Sequence, residues 1–228
     1  INFSKDTDVV LCLGDVGANF FFNEREESFK RKLEKYPFTY FCIRGNHDMR
    51  PSVCADMNPD SWHTEEIFDN TVYVENKYPS IKYALDEPAV YNINDIKTFI
   101  IPGAYSVDKY YRLERGLPWF EDEQLSVNEM NTGRRIIQEN PNFDLVLSHT
   151  CPVIYEPTDL FLPEVDQSLV DKTMERYLGE IESKIKYRLW LWGHYHAYRV
   201  YPPYNDSQCI MLSDGHEVIN IQERIGKD

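Results

Sequence analysis

The 228-residue chain carries 42% hydrophobic and 27% charged residues with 10 Gly and 13 Pro, a balance that excludes wholesale disorder and suits a chain long enough to bury a core. Its formal net charge of -14 disfavours broad attraction to long nucleic acid, which needs a basic face; it leaves a metal site open, because ligand carboxylates make such sites acidic before the cations arrive. The longest apolar runs, residues 9–13, 98–101 and 145–147, fall far short of the about 20 residues that span a bilayer, and no cationic-then-apolar start suggests a secretory signal, so a soluble chain without a membrane partner is expected.

Residues 9–13 (VVLCL) form a short β-branched run ending in Gly14-Asp15, the pattern of a buried strand that delivers a side chain at its C-terminal end. Residues 23–35 are charged and helix-prone, Pro37 stops them, and residues 38–43 read as the next buried strand, ending in Arg44-Gly45-Asn46-His47-Asp48. Strand, helix, strand in this order predicts a parallel βαβ unit. Residues 72–101 hold several strand-like pieces separated by turns and predict an antiparallel stretch of sheet. A loop over residues 105–118 leads to a helix over 122–139, whose acidic side reads as a solvated face. A buried strand over 144–147 ends at Ser148-His149; a helical pattern covers 169–185; and a strand over 189–192 ends at Gly193-His194-Tyr195-His196. Val200 and the runs 208–212 and 218–221 finish the chain as β. No repeat, low-complexity segment or linker interrupts it, so residues 1–228 are read as a single domain.

Five cysteines, most of them inside apolar segments, suit buried thiols in a reducing compartment better than a disulfide framework, and point to a cytoplasmic protein. None has the spacing of a zinc ribbon or of a cysteine-dependent phosphatase loop. Each of four predicted core strands instead ends in a metal-capable side chain, and in open α/β sheets ligands gather at the carboxyl ends of strands. Asp15, Asn46, His149, His194 and His196 together offer carboxylate, amide oxygen and imidazole, a donor set suited to Mn, Fe or Zn. Alone, Asp15 would serve as a helix cap and Asn46 as a turn residue; it is their company that favours ligation. His63 and His216 lie outside these blocks and read as structural or surface residues, and Trp190 and Trp192 as packing.

The blocks Gly14-Asp15, Gly45 to Asp48, Ser148-His149 and Gly193 to His196 match in order the last four blocks of the calcineurin-like metallophosphoesterase pattern, which this sequence therefore resembles over most of its length. The resemblance implies an α/β fold, the layered calcineurin-like metallophosphoesterase arrangement of mixed β sheets flanked by helices, with a dinuclear metal centre at one sheet edge. It implies Asp15 as the carboxylate bridging two divalent metal ions, Asn46, His149 and His194 completing one site, and His196 serving the other. His47 would protonate or stabilise the leaving group, with Asp48 orienting the His47 ring. The implied reaction is phosphatase-type hydrolysis of a phosphate ester by metal-bridged hydroxide attack at phosphorus, on a phosphorylated small molecule or phosphoprotein.

Two departures from the pattern matter. The family's first block, Asp-x-His, is not present in residues 1–13, where Asp6 and Asp8 lack the histidine; since Ile1 is not a start residue, the block is expected upstream of this chain. The sequence Val-Gly-Ala-Asn after Asp15, and the aspartate closing the GNHD block, resemble the broader, mostly prokaryotic branch rather than the Ser/Thr protein phosphatases. Substrate is not inherited from so diverse a group. A phosphodiesterase acting on small or cyclic nucleotides is the alternative within enzymes, and a non-catalytic scaffold on the same fold the alternative outside them. Lys109, Arg112 and Arg115, in the loop 105–119, are candidates for clamping a substrate phosphate.

Overall fold

The computed structural model describes residues 4, 8–163, 165–203, 207–214 and 218–226. Strands β1 (Val9–Cys12) and β2 (Thr39–Cys42), joined through helix α1 (Glu24–Leu33), pair in parallel, as the βαβ reading expects. Asn23 caps α1 by accepting from the Arg25 N–H, and the first turn carries three glutamates against the positive helix end. Helix α2 (Pro51–Met57) follows, starting on a proline whose missing N–H costs nothing at that position.

The segment 72–101 corrects the expectation of one antiparallel stretch. Two hairpins form, β3 (Trp62–Ile67) with β4 (Asn70–Glu75), and β6 (Ala89–Ile93) with β7 (Ile96–Ile101), and they belong to different sheets. Between them β5 (Ile81–Tyr83) pairs in parallel with β2 and antiparallel with β4. The first sheet is ordered β1-β2-β5-β4-β3. Strand β3, an edge strand with exposed His63, Thr64 and Glu66, lacks the apolar run that would have marked it.

Helix α3 (Lys109–Arg115) occupies the segment expected as loop, and α4 (Val127–Glu139) begins five residues later than expected, because Ser126 and Glu129 form a reciprocal capping box. Strand β8 (Leu145–Ser148) follows. Three short 3₁₀ turns then lead to α5 (Thr173–Glu182), which is shorter than the expected 169–185. Strands β9 (Leu189–Trp192), β10 (Arg199–Val200) and β11 (Gln208–Met211) complete a sheet ordered β10-β11-β9-β8-β7-β6. The run 218–221, expected as β, instead leads into α6 (Ile221–Ile225), which Asn220 starts by accepting from the N–H groups of Gln222 and Glu223.

The two sheets face each other. Phe41, Ile43, Val72 and Val74 of the first meet Ile100, Leu145, Leu147, Leu189 and Leu191 of the second in one buried cluster. The alternate residues of the same strands point outward: Val146, Trp190 and Trp192 pack under α4 and α5, and Tyr40 and Cys42 pack under α1 and α2 with Phe29, Leu33 and Cys54. This period-two division makes a helix–sheet–sheet–helix stack. Among the described residues no helix is long and apolar enough to cross a membrane.

Candidate metal centre

Strands β1 and β2 are parallel neighbours in one sheet, and β8 and β9 are parallel neighbours in the other. Their carboxyl ends carry the four motif blocks, and the facing of the sheets brings these ends together. Two glycines permit the approach. A Cβ on Gly14, whose φ is +94°, would lie 2.4 Å from His149 Nδ1, and a Cβ on Gly45 would lie 2.1 Å from Asp15 Oδ1. Asp15, His194 and His196 themselves adopt φ of 56°, 67° and 54°, a left-handed conformation that costs a non-glycine residue about 1 kcal/mol or more and that clusters at functional sites.

The orientation of each ring follows from its partners. His149 Nδ1 lies 2.5 Å from the Leu13 carbonyl, which only accepts, so Nδ1 carries the proton. Its other nitrogen, Nε2, sits 2.9 Å from Asn46 Oδ1 and 3.3 Å from Asp15 Oδ2. His194 Nδ1 is 3.1 Å from the same Asn46 oxygen. The amide is held this way round because Asn46 Nδ2 donates to Ser106 Oγ at 2.9 Å, and Ser106 Oγ donates to Glu123 Oε2 at 2.5 Å. Glu123 is itself buried and takes further N–H groups from Ser106 and Trp119. Ser106 and Glu123 have no motif spacing to the metal-capable residues and could not be found from the sequence.

Donors bound about 2.0–2.2 Å from one ion, at tetrahedral to octahedral angles, sit about 3.0–3.5 Å from one another. The spacings of 2.9, 3.1 and 3.3 Å among Asn46, His149, His194 and Asp15 match that shell. Among the described residues no set of three His, Cys, Asp or Glu side chains is spaced to hold a metal without help; the convergence here runs through the Asn46 amide. Burial opposes ionisation of Asp15, but the His149 ring outweighs it and holds the carboxyl well below the usual range. Burial would lower the His149 pKa, and the Asp15 charge raises it instead. Burial, then the neighbouring His149 ring, pushes His194 down to about 3 and keeps it neutral.

His196 stands apart from this convergence. Its side chain is 73% exposed, and its Nδ1 donates to Asp214 Oδ1 at 2.6 Å, the kind of carboxylate contact that fixes a ligand histidine's tautomer. It still lines one cleft with Asp15, Asn46, His47 and His194, and with Asp15 it is the part of a second ion's shell that these residues would provide.

His47 is anchored by its backbone N–H, which donates to Asp15 Oδ1 at 2.8 Å, and its ring Nε2 accepts from Arg112 Nη2 at 3.0 Å. Burial and the Arg112 charge lower its pKa against the pull of Asp15. The expected contact of Asp48 with the His47 ring is replaced by another. Asp48 Oδ2 accepts the N–H groups of Asp15 at 2.7 Å and Gly45 at 2.9 Å, tying the two strand-end loops to each other. Burial, then the Asp15 charge, pushes Asp48 up to about 6.

Of the three candidate phosphate clamps only Arg112 reaches the site, braced by Asp108 at 2.7 Å. Lys109 lies over the Trp119 ring and Arg115 over Tyr111, contacts that hold these two cations away from His47. His63, paired with Asn76 and Glu65 on β3, is remote from the cluster, and His216 lies outside the described residues.

A solved structure with a similar course is the phosphopantetheinyl hydrolase from Mycobacterium tuberculosis, which shares 15% identity at a TM-score of 0.42 over 91% of this chain and 79% of that one. No curated protein matches the sequence. A family model does match, over residues 1–198 and thus through all four strand-end blocks. With that match the chain belongs to the calcineurin-like phosphoesterase family, whose chemistry is the hydrolysis of phosphoesters.

Proposed function

We propose that this protein is a cytoplasmic metal-dependent phosphatase, hydrolysing the phosphate ester of a small molecule or phosphoprotein with two divalent ions of Mn, Fe or Zn. The observation that carries this reading is the convergence of potential ligand atoms. With His149 Nδ1 turned to the Leu13 carbonyl, Nε2 faces the Asn46 and Asp15 oxygens at 2.9 and 3.3 Å; Asp15 favours a proton on that nitrogen in the metal-free chain, and an ion bound among the same atoms would take the proton's place. Asp15, Asn46, His149 and His194 would hold one ion, and Asp15 with His196 would contribute to the other. Bound there, such ions supply Lewis acidity, withdrawing charge from phosphoryl oxygens and acidifying water.

The remaining work falls to the chain's own side chains. Arg112, braced by Asp108, presents its guanidinium beside the His47 ring and can receive a phosphoryl oxygen, as its planar fork suits. His47, half-buried and fixed by its backbone to Asp15, presents an Nε2 lone pair to Arg112; once Arg112 turns to the phosphate, Nε2 is free to take a proton from solvent, with the Asp15 charge favouring the imidazolium, and to pass it to the departing alkoxide. Asp48 keeps the loops in register. The free thiols, four of the five buried, support the reducing compartment, and the charge of -14 disfavours long nucleic acid.

A diester reading has one observation in its favour. Among the described residues Arg112 is the one arginine or lysine hydrogen-bonded to His47, and a diester brings one negative charge where a monoester brings two. The test measures bound metal and turnover together on Mn-loaded protein, with p-nitrophenyl phosphate and its bis-ester compared and chelator added last. Bound metal with chelator-sensitive release, faster on the monoester, is the expected result. Faster release from the bis-ester would move the assignment to the diesterase, and bound-metal-free, inactive protein would overturn both in favour of a scaffold.

A further inference from the structure

The cleft lined by the metal residues is larger than an ion site. Its volume is about 410 Å³, within the range of a small-molecule site, and Asp15, Asn46, His47 and His194 are among its lining residues. Leu160, Phe161, Leu162, Val165 and Val170 line it as well, all supplied by the stretch of 3₁₀ turns and loop before α5. A phosphate held at the metal residues therefore has an apolar lining within the same cleft for its alcohol part.

Charge in the cleft limits what that part can be. Among the described residues Lys172 is the one lysine or arginine in the lining; its Nζ is 2.5 Å from Glu156 Oε1 and 4.4 Å from the Phe161 ring centre. Asp171 is already engaged by Thr173 and Gln124. A second phosphate would thus meet the carboxylates of Glu156 and Asp171 with no unpaired cation among the described lining residues.

Glu175, in the first turn of α5, is the unexpected member. It is 4% exposed and lines the same cleft. One oxygen accepts the Thr150 hydroxyl at 2.8 Å, while Oε2 is buried without a partner. Thr150 lies in turn 3.1 Å from the Tyr195 hydroxyl, which links this carboxyl to the loop that carries His194 and His196. Buried acceptors without partners are rare, and a ligand donor is one of the few things that explains them. Burial raises the Glu175 pKa to about 7, so the group can meet an uncharged donor without carrying a full buried charge.

We propose that this cleft is the subsite for the alcohol part of the ester, and that it selects an apolar, non-anionic body bearing a hydroxyl or N–H that donates to Glu175. The proposal rests on the hydrolase reading for the phosphate end, and its test separates the two. Binding of three non-hydrolysable probes to the Mn-loaded chain is measured by calorimetry: hexylphosphonate, its ω-hydroxy analogue and its ω-phosphono analogue. The ω-hydroxy probe is expected to bind about tenfold tighter than hexylphosphonate, since a site built for a donor rejects the analogue lacking it, and the ω-phosphono probe more weakly than either. Glu175→Leu is expected to erase the hydroxyl preference and Glu175→Gln, which keeps an acceptor oxygen, to retain it.

Equal binding of the three probes, tightest binding of the bisphosphonate, or a hydroxyl preference that survives Glu175→Leu would overturn the subsite. The wild-type comparison needs no variant and stands even if a substitution fails to fold. Turnover of p-nitrophenyl phosphate by the same samples reports on hydrolysis alone. Turnover without probe selectivity removes the subsite and leaves the hydrolase, whereas selectivity without turnover supports the subsite and removes the hydrolase.

Discussion

Replacing Gly45 by alanine tests whether the close approach of two strand-end loops is what builds the metal site. The added Cβ would lie 2.1 Å from Asp15 Oδ1, 2.7 Å from Asp15 N and 2.8 Å from Asp15 Cγ. Bringing the first of these out to 3.0 Å requires 3.0 − 2.1 = 0.9 Å of movement. The Asp15 side chain cannot simply swing aside, because Oδ1 holds the His47 N–H and its own N–H is held by Asp48. The displacement must fall on Asp15 or on the Gly45 loop, and either moves a ligand. Overpacking of this kind costs about 1–3 kcal/mol of stability, and a misplacement of about 1 Å at a reacting centre costs on the order of 100-fold in rate. The assay is metal content per chain, p-nitrophenyl phosphate turnover and a urea melt on Gly45→Ala beside Gly193→Ala. Gly193 belongs to a motif too, yet a Cβ there meets nothing nearer than Leu13 O at 3.7 Å, so its alanine variant should stay near wild type. Full metal content and wild-type turnover in Gly45→Ala, or equal damage in both variants, would refute the reasoning.

His47→Ala should keep bound metal but lower turnover by about 100-fold or more, read by metal analysis and steady-state kinetics; unchanged turnover would remove the leaving-group role. Ser148→Ala should leave the buried Trp190 indole N–H, now donating to Ser148 Oγ at 2.8 Å, without a partner, and cost about 1–3 kcal/mol; an unshifted urea midpoint would contradict this. Glu180 is held down to about 2 by hydrogen bonds from Arg134 and then Lys184, against an ordinary value of 4.5. Its folded pKa lies below its unfolded one, so its contribution is whole above pH 4.5 and is lost as pH falls toward 2. Because the side chain is about a third exposed, solvent screening limits that contribution to about 1 kcal/mol or less; the stability gap between wild type and Glu180→Gln, measured across that pH window, should close toward acid.

The four strand-end blocks were legible because buried parallel strands announce themselves as short continuous apolar runs, and a polar residue straight after such a run has a fixed direction. Leu189 to Trp192 illustrates the limit of that signal: all four residues are buried, so the run shows a core strand but not which face meets the other sheet. The division of residues 72–101 between two sheets was not legible, since hairpins look alike whichever sheet they join. Helix α3 was hidden by its aromatic and glycine-flanked sequence, and with it the fact that Arg112 alone of three cations turns to His47. Ser106, Glu123 and Glu175 were out of reach for a deeper reason. Each acts through a tertiary contact with a residue far away in sequence, and a single serine or glutamate carries no periodicity to reveal that.

The scaffold reading and the hydrolase reading differ most sharply in what they require of the empty-handed chain. A scaffold gains nothing from holding Asp15, His194 and His196 at positive φ, or from gathering Asp15, Asn46, His149 and His194 at spacings of 2.9, 3.1 and 3.3 Å. The positive φ raises the free energy of the native state, and neither feature persists in the unfolded chain. A metal that binds only the folded form must therefore stabilise it, by about 2.7 kcal/mol when its free concentration is 100 times its Kd. The measurement is a thermal melt with Mn titrated in and then removed by chelator. A melting temperature that climbs with Mn and falls back with chelator is expected from the site described. A melting temperature indifferent to both, in protein whose circular dichroism shows it folded, would mean that the convergence of Asp15, Asn46, His149 and His194 is a packing arrangement and that the hydrolase reading has lost its foundation.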